Sequence, residues 1–232
     1  MTYFLINPKF PNDFVKKLSR YGECIPVCAF PLLEDPVNAH PDMLAADVGD
    51  KLFIHAEDAL LASALGKKKI PFSLSQTPVG AKYPRDIALN FFTVKKYLFA
   101  NTAHASAEAL AQARLLGFET VSVAQGYAKC STMLLGDALV TADSSIYKAA
   151  LERDIDALLI SAGNIGIEKY DTGFIGGASG TLAESKVAVF GDIWKHADAS
   201  NILAFAKKHD TEIINLGGGN LFDYGGFVRV NA

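Results

Sequence analysis

Cys130 and His40 are the residues of this 232-residue chain whose types suit nucleophilic and acid–base chemistry. Cys130 stands in Lys129-Cys130-Ser131, directly ahead of the apolar run TMLLG. A cysteine attacks as its thiolate, and a neighbouring cation such as Lys129 or a protonated histidine favours that form. The same thiol also reads as an inert side chain at a strand start. His40 stands in His40-Pro41-Asp42. An imidazole titrates near neutrality, so it can serve first as a general acid and then as a general base. Pro41 and Asp42 are equally ordinary turn formers. The other two cysteines, Cys24 and Cys28, lie four apart in the apolar run ECIPVCAF and read as small core residues of a strand.

Three further segments carry reactive types: Arg85-Asp86, Gly176-Gly177 and Asp223-Tyr224-Gly225. Carboxylates such as Asp86 and Asp223 hold a planar cation through paired hydrogen bonds. Arg85 suits a substrate carboxylate. Asp143 and Asp192 are reserves, each equally explained as a residue favoured at a helix N-terminus.

The elements that must position these residues recur along the chain. Apolar strands begin near Tyr3, Lys51, Lys95, Asp137 and Ser185, at intervals of 48, 44, 42 and 48 residues. A fixed period of this size marks an internally repeated architecture. Each strand leads to a segment with apolar residues three and four apart: Asn12 to Tyr21, Glu57 to Leu65, Ser106 to Leu116, Ser144 to Arg153 and Ala199 to His209. In the third, Ala109, Ala113 and Leu116 form the stripe. Ser106 and Ser144 are the expected N-caps. A second apolar run follows each helix: CIPVCA, PFSLS, TVSVA, ALLIS and EIINL.

Another extended segment precedes each repeated strand, from Met43, Asp86, Ser131 and Gly180. The N-terminus lacks one. GGFVRVNA, Gly225 to Ala232, supplies it from the other end of the chain, which removes an open sheet edge. The unit is strand–strand–helix–strand, five times. The reactive segments then fall at the junctions leading into each unit, and loop positions on a rigid scaffold are where such residues usually act.

In this architecture the chain resembles the penteins, five-bladed α/β propellers of ββαβ modules. Their members include arginine deiminase, dimethylarginine dimethylaminohydrolase and the amidinotransferases. The resemblance implies a single domain over 1–232, with modules at about 1–39 plus 225–232, 40–84, 85–129, 130–175 and 176–224. HPDMLAADVGDKLFIH resembles the family's His-x-Asp layout ahead of a module strand. Cys130 follows His40 by ninety residues, two modules, as in the hydrolases of this fold. GFIGGASG resembles the family's Phe-x-Gly-Gly-Asp segment, with Ala178 at the position of its guanidinium-binding carboxylate. The same glycines also read as a turn. The order His40, Cys130, FIGG departs from the family's order, as in a circularly permuted ring.

The resemblance implies a Cys/His-dependent enzyme acting on a guanidino or amidino C–N bond, by hydrolysis or amidino transfer. Cys130, His40 and Asp42 would be catalytic; Asp86, Arg85, Asp223, Lys129, Gly176 and Gly177 would bind substrate. The other reading is a pentein without catalysis, a binding or structural module. The partner expected is a small molecule, with no metal and no cofactor. A net charge of −3 gives no basic footprint for nucleic acid. MTYFLINPKF lacks the layout of a signal peptide, no apolar run approaches a membrane span, and three cysteines make no disulfide scaffold. The expectation is a cytoplasmic protein.

Overall fold

The architecture follows from two local rules: a two-residue link makes antiparallel neighbours, and a helical crossover makes parallel ones. The computed structural model describes residues 1–232. Strand β1 (Thr2–Ile6) leads through helix α1 (Asn12–Leu18) to β2 (Glu23–Pro26). A single helical turn, α2 (Pro41–Leu44), precedes β3 (Ala45–Val48), β4 (Lys51–His55), α3 (Ala59–Lys67) and β5 (Ser73–Ser75). Then come β6 (Phe92–Val94), β7 (Tyr97–Ala100), α4 (Ala107–Leu115) and β8 (Glu119–Ser122). The next unit is β9 (Thr132–Leu135), β10 (Ala138–Thr141), α5 (Ser144–Leu151) and β11 (Ala157–Leu159), with a short β12 (Ile165–Gly166) behind it. The last is β13 (Ser179–Ala183), β14 (Lys186–Val189), α6 (Ala199–Lys208) and β15 (Glu212–Asn215), followed by β16 (Leu221–Phe222) and β17 (Phe227–Asn231).

These strands form five small three-stranded sheets, and β12 pairs with β16 in a sixth of two strands. In each three-stranded sheet the middle strand is antiparallel to one neighbour and parallel to the other. The chain's two ends share one sheet: β17 runs antiparallel to β1, from Thr2 opposite Asn231 to Ile6 opposite Phe227. Two of the hairpin links, those of β3–β4 and β9–β10, carry a glycine where the backbone turns left-handed, while the β6–β7 link places Lys95 at φ 51°. Gly49 and Gly136 take positive φ, 61° and 60°, which glycine adopts without a Cβ clash. The apolar core lies between the sheets and their helices, with Phe4, Leu5, Phe53, Phe99, Leu139 and Val189 of the middle strands fully covered.

Four local expectations are corrected. Asp143, not Ser144, caps α5, accepting from the amides of Ser145 and Ile146. A carboxylate outcompetes the hydroxyl one residue on because it accepts two amides and meets the helix dipole. Ser106 caps α4 as expected. Leu116 is exposed, and the α4 stripe runs through Ala109, Leu110 and Ala113. Strand β2 ends at Pro26, so Cys28 lies beyond it and is exposed, while Cys24 is half-buried.

Candidate active site

The segments ahead of the inner strands converge. His40 closes a 3-10 turn (Val37–Ala39) and precedes α2, whose first residue is Pro41, a position where the missing proline N–H costs nothing. The amide of Asp42 donates to Gly225 O at 3.0 Å. Gly225 adopts φ +79°, and a Cβ there would fall 2.3 Å from His40 Cβ. His40 Nδ1 lies 3.7 Å from Asp223 Oδ1. That is too long for a hydrogen bond, and places the imidazole beside the carboxylate.

Asp223 is held by two backbone donors. Phe174 N donates to Oδ2 and Gly225 N to Oδ1, both at 2.9 Å. Burial, and then the charge of Asp42, push its carboxyl up to about 7. Burial lowers the imidazole of His40, against an upward pull from Asp42. The histidine is therefore neutral at rest, and Asp223 is poised to bind or release a proton near neutrality.

Cys130 sits at the turn into β9, buried. Its carbonyl accepts from Gly177 N at 3.0 Å. Burial pushes the thiol well above its ordinary range; Asp42 and Asp223 push it further, and a hydrogen bond from Asn90 opposes them. Asn90 Nδ2 donates to Cys130 Sγ at 2.9 Å, and Asn90 Oδ1 accepts from the amides of Lys129 and Cys130. Asn90 was not among the residues singled out from sequence. Its signal is positional: it stands two residues ahead of β6, as Cys130 does ahead of β9 and Gly177 ahead of β13.

Gly176 and Gly177 make these approaches possible. A Cβ on Gly176 would fall 2.3 Å from Lys129 O, and one on Gly177 would fall 2.1 Å from Asp223 Oδ1. Ala178 is fully buried among apolar neighbours such as Ile175 and Val189. The carboxylate against this glycine segment belongs to Asp223.

The remaining candidates stand further out. Asp86 is buried and accepts from Tyr127 Oη at 2.7 Å; desolvation raises its carboxyl and that bond opposes the rise. Tyr127 in turn packs on Phe174. Arg85 is exposed, with its stem against Gly80, outside the cluster. The ammonium of Lys129 donates to Ala45 O at 3.1 Å and acts on Asp47. The charges acting on the thiol are thus negative, contrary to the cation expected from Lys129. Asp143 and Asp192 are both helix caps. No three His, Cys, Asp or Glu side chains are grouped to hold a metal ion.

A cavity of about 270 Å³ opens over His40 and Asp223, lined also by Asn7, Tyr224 and the ion pair of Lys9 with Glu168 at 2.5 Å. Of the cluster, His40 and Asp223 face this cavity, while the Cys130 thiol and Asp42 lie buried away from it.

Residues 5–228 match a family described as a family of unknown function (DUF6873). The chain belongs to that family. No curated protein matches it in sequence. Among solved structures it is similar to a dimethylarginine dimethylaminohydrolase bearing an adduct with 4-chloro-2-hydroxymethylpyridine. That likeness has a TM-score of 0.53 and 11% identity, and covers 93% of this chain and 92% of that one. It is also similar to a Cys-to-Ser variant of the same enzyme from Pseudomonas aeruginosa, complexed with citrulline. There the TM-score is 0.51 and the identity 10%, covering 93% and 91% of the two chains. At these identities the likeness shows a pentein-like fold and no more. No helix is long and apolar enough to cross a membrane.

Proposed function

We propose that the protein is a pentein in which the five three-stranded sheets close into one ring, and that it cleaves a guanidino or amidino C–N bond through a covalent cysteine intermediate. The observation that carries this reading is contact among junctions far apart in sequence. His40 Nδ1 lies 3.7 Å from Asp223 Oδ1, and Asp42 N donates to Gly225 O. Gly177, which lies against Asp223, donates its amide to Cys130 O. The intracellular, reducing setting that a free thiol nucleophile needs is part of the same proposal.

The substrate's planar cation enters over His40 and lies against Asp223 and Asp42. Its charge offsets the two carboxylates that hold the thiol protonated, so the thiol ionises on binding. The proton released passes to His40. Cys130 sulfur bonds to the central carbon, and the departing amine takes the proton from His40 as the C–N bond breaks. A thiouronium-type intermediate remains. His40, neutral again, takes a proton from water as the hydroxide adds to the carbon. The C–S bond then breaks, the departing thiolate takes the proton of the added hydroxyl, and His40 gives its proton to the released amine. The product carries C=O in place of C=N, and a second amine in place of water would give amidino transfer.

A second reading, a pentein that binds without catalysis, is favoured by one feature: Ala178 replaces the family's carboxylate by a methyl group in the apolar core. The two readings part on labelling. 4-Chloro-2-hydroxymethylpyridine would lose chloride to a thiolate at the site. Under the catalytic reading, mass spectrometry finds the adduct on Cys130 and finds that peptide unlabelled in Cys130→Ser, with amine release by the wild type from arginine- or amidine-type compounds. Labelling confined to exposed Cys28, with no amine release across such a panel, establishes the binding reading.

A further inference from the structure

The cavity over His40 and Asp223 has an aromatic wall. Phe222 and Tyr224 both line it, their ring centroids 4.6 Å apart, and Pro36 adds a further apolar face. Tyr224 also packs on Phe10 and Phe14, at 5.1 and 6.2 Å, which fixes the wall in place. The volume, about 270 Å³, lies just below the roughly 300–1,000 Å³ of ordinary ligand pockets, so the cavity takes a compact molecule.

Most polar groups around the cavity are already engaged. Asn7 Nδ2 donates to Tyr224 O at 3.0 Å, and Asn7 Oδ1 accepts from Lys9 N at 2.8 Å. At the exposed mouth Lys9 pairs with Glu168 at 2.5 Å, and Lys169, next in the chain, pairs with Asp35. These four charges cancel in two pairs. Arg85, the residue suited to a substrate carboxylate, stands outside the cluster. What remains is the buried floor. No hydrogen bond holds the His40 ring, and each Asp223 oxygen keeps accepting capacity beyond its one backbone donor.

A second charge on a ligand therefore gains little here. Trading one exposed ion pair for others shifts affinity by less than about fivefold. Covering a ring-sized apolar group is worth roughly tenfold to a hundredfold. An aromatic wall also attracts a cation laid against it.

We propose that the cation taken by this cavity is a compact amidinium or guanidinium of single charge that bears an apolar, ring-sized substituent. Its planar head lies on Asp223 beside His40, and its substituent lies against Phe222 and Tyr224. As a substrate class this rests on the cysteine chemistry proposed above.

Benzamidine is the probe, titrated calorimetrically at pH 8 into the full-length Cys130→Ser protein, where binding is read without turnover. Guanidinium chloride supplies the head alone, benzamide the ring without the charge, and L-arginine a guanidinium with a doubly charged tail. Benzamidine is expected to bind at least about tenfold tighter than each of the three. In the same background Phe222→Ala is expected to weaken benzamidine by at least about fivefold and to leave guanidinium within about twofold. Circular dichroism checks that this variant folds, and the comparison of the four compounds stands without it. The inference is overturned if benzamidine does not bind, if L-arginine binds as tightly, or if Phe222→Ala leaves benzamidine affinity unchanged. Tight benzamidine binding, with no amine release by the wild type from any amidine or guanidine, sinks the catalytic reading alone. Amine release from L-arginine but not from apolar amidines sinks this inference alone.

Discussion

Asn90 Nδ2 donates to Cys130 Sγ at 2.9 Å, and Asn90 Oδ1 takes the amides of Lys129 and Cys130. One side chain thus fixes the backbone that presents the thiol and supplies the hydrogen bond opposing its upward shift. Asn90→Asp keeps an acceptor for the amides but turns a lone pair and a charge on the sulfur. The pH midpoint of Cys130 alkylation by iodoacetamide should move upward. Asn90→Ala strands the amide donors and should cost about 1–3 kcal/mol for each one left unpaired, measured by denaturant unfolding. An unchanged midpoint in Asn90→Asp would remove the asparagine from any role in tuning the thiol.

Asp42 should affect thiol reactivity and turnover in opposite senses. After burial, its charge is the first influence that holds the Cys130 proton on. Asp42→Asn removes it, so the thiol should ionise at lower pH and alkylate several-fold faster at pH 8. Turnover, if the carboxylate holds the substrate cation, should fall by a factor of about 100 or more. Both rates falling together would mean that the substitution had merely loosened the site.

Asp223 should imprint a pH dependence on stability. Its folded carboxyl is pushed up to about 7, above the unfolded value near 3.9. The folded state therefore binds the extra proton between those values. The stability this group contributes is fully present below about pH 4 and is lost as pH rises through about 7. Asp223→Asn stays neutral throughout and lacks this slope, although its single oxygen cannot satisfy the amides of both Phe174 and Gly225. The melting temperature of the variant relative to wild type should accordingly climb from pH 4 to pH 7.5. A constant offset across that range is the outcome that would count against a raised Asp223.

The recurring strands and helices were legible because their periods of 2 and 3.6 are local properties of the chain. The pairing of β17 with β1 was legible for a related reason, since one unit lacked a strand and GGFVRVNA had no other place. Cys130, His40 and Asp42 could be picked out by residue type alone. Asn90 could not, because an amide in DIALN reads as a turn residue until the fold brings it to a thiol forty positions away. Lys129 misled for the complementary reason. Adjacency in sequence does not set direction, and its ammonium turns to the Ala45 carbonyl. The vacancy at Ala178 was legible; the carboxylate of Asp223 against the same glycines was not, because contact across modules is a tertiary fact.

Gly177 ties the two halves of the site together, and its substitution tests that arrangement. Its amide donates to Cys130 O, its carbonyl accepts from Tyr224 and Gly226, and a Cβ would fall 2.1 Å from Asp223 Oδ1 and 2.4 Å from Asp223 Cγ. Relief by a side-chain rotation alone is closed off, because the same carboxylate is pinned by Phe174 N and Gly225 N. Gly177→Ala must therefore shift backbone or break those bonds, at a cost of about 3 kcal/mol or more. Gly218 is the control: a Cβ there meets nothing within 4 Å, so Gly218→Ala should change stability by no more than about 0.5 kcal/mol. Denaturant unfolding reads both. If the strain is released by moving Asp223 rather than by unfolding, the pH slope of stability between about 4 and 7 should flatten in Gly177→Ala as it does in Asp223→Asn. Equal stabilities for the two alanine variants would show that the glycine segment does not press on Asp223.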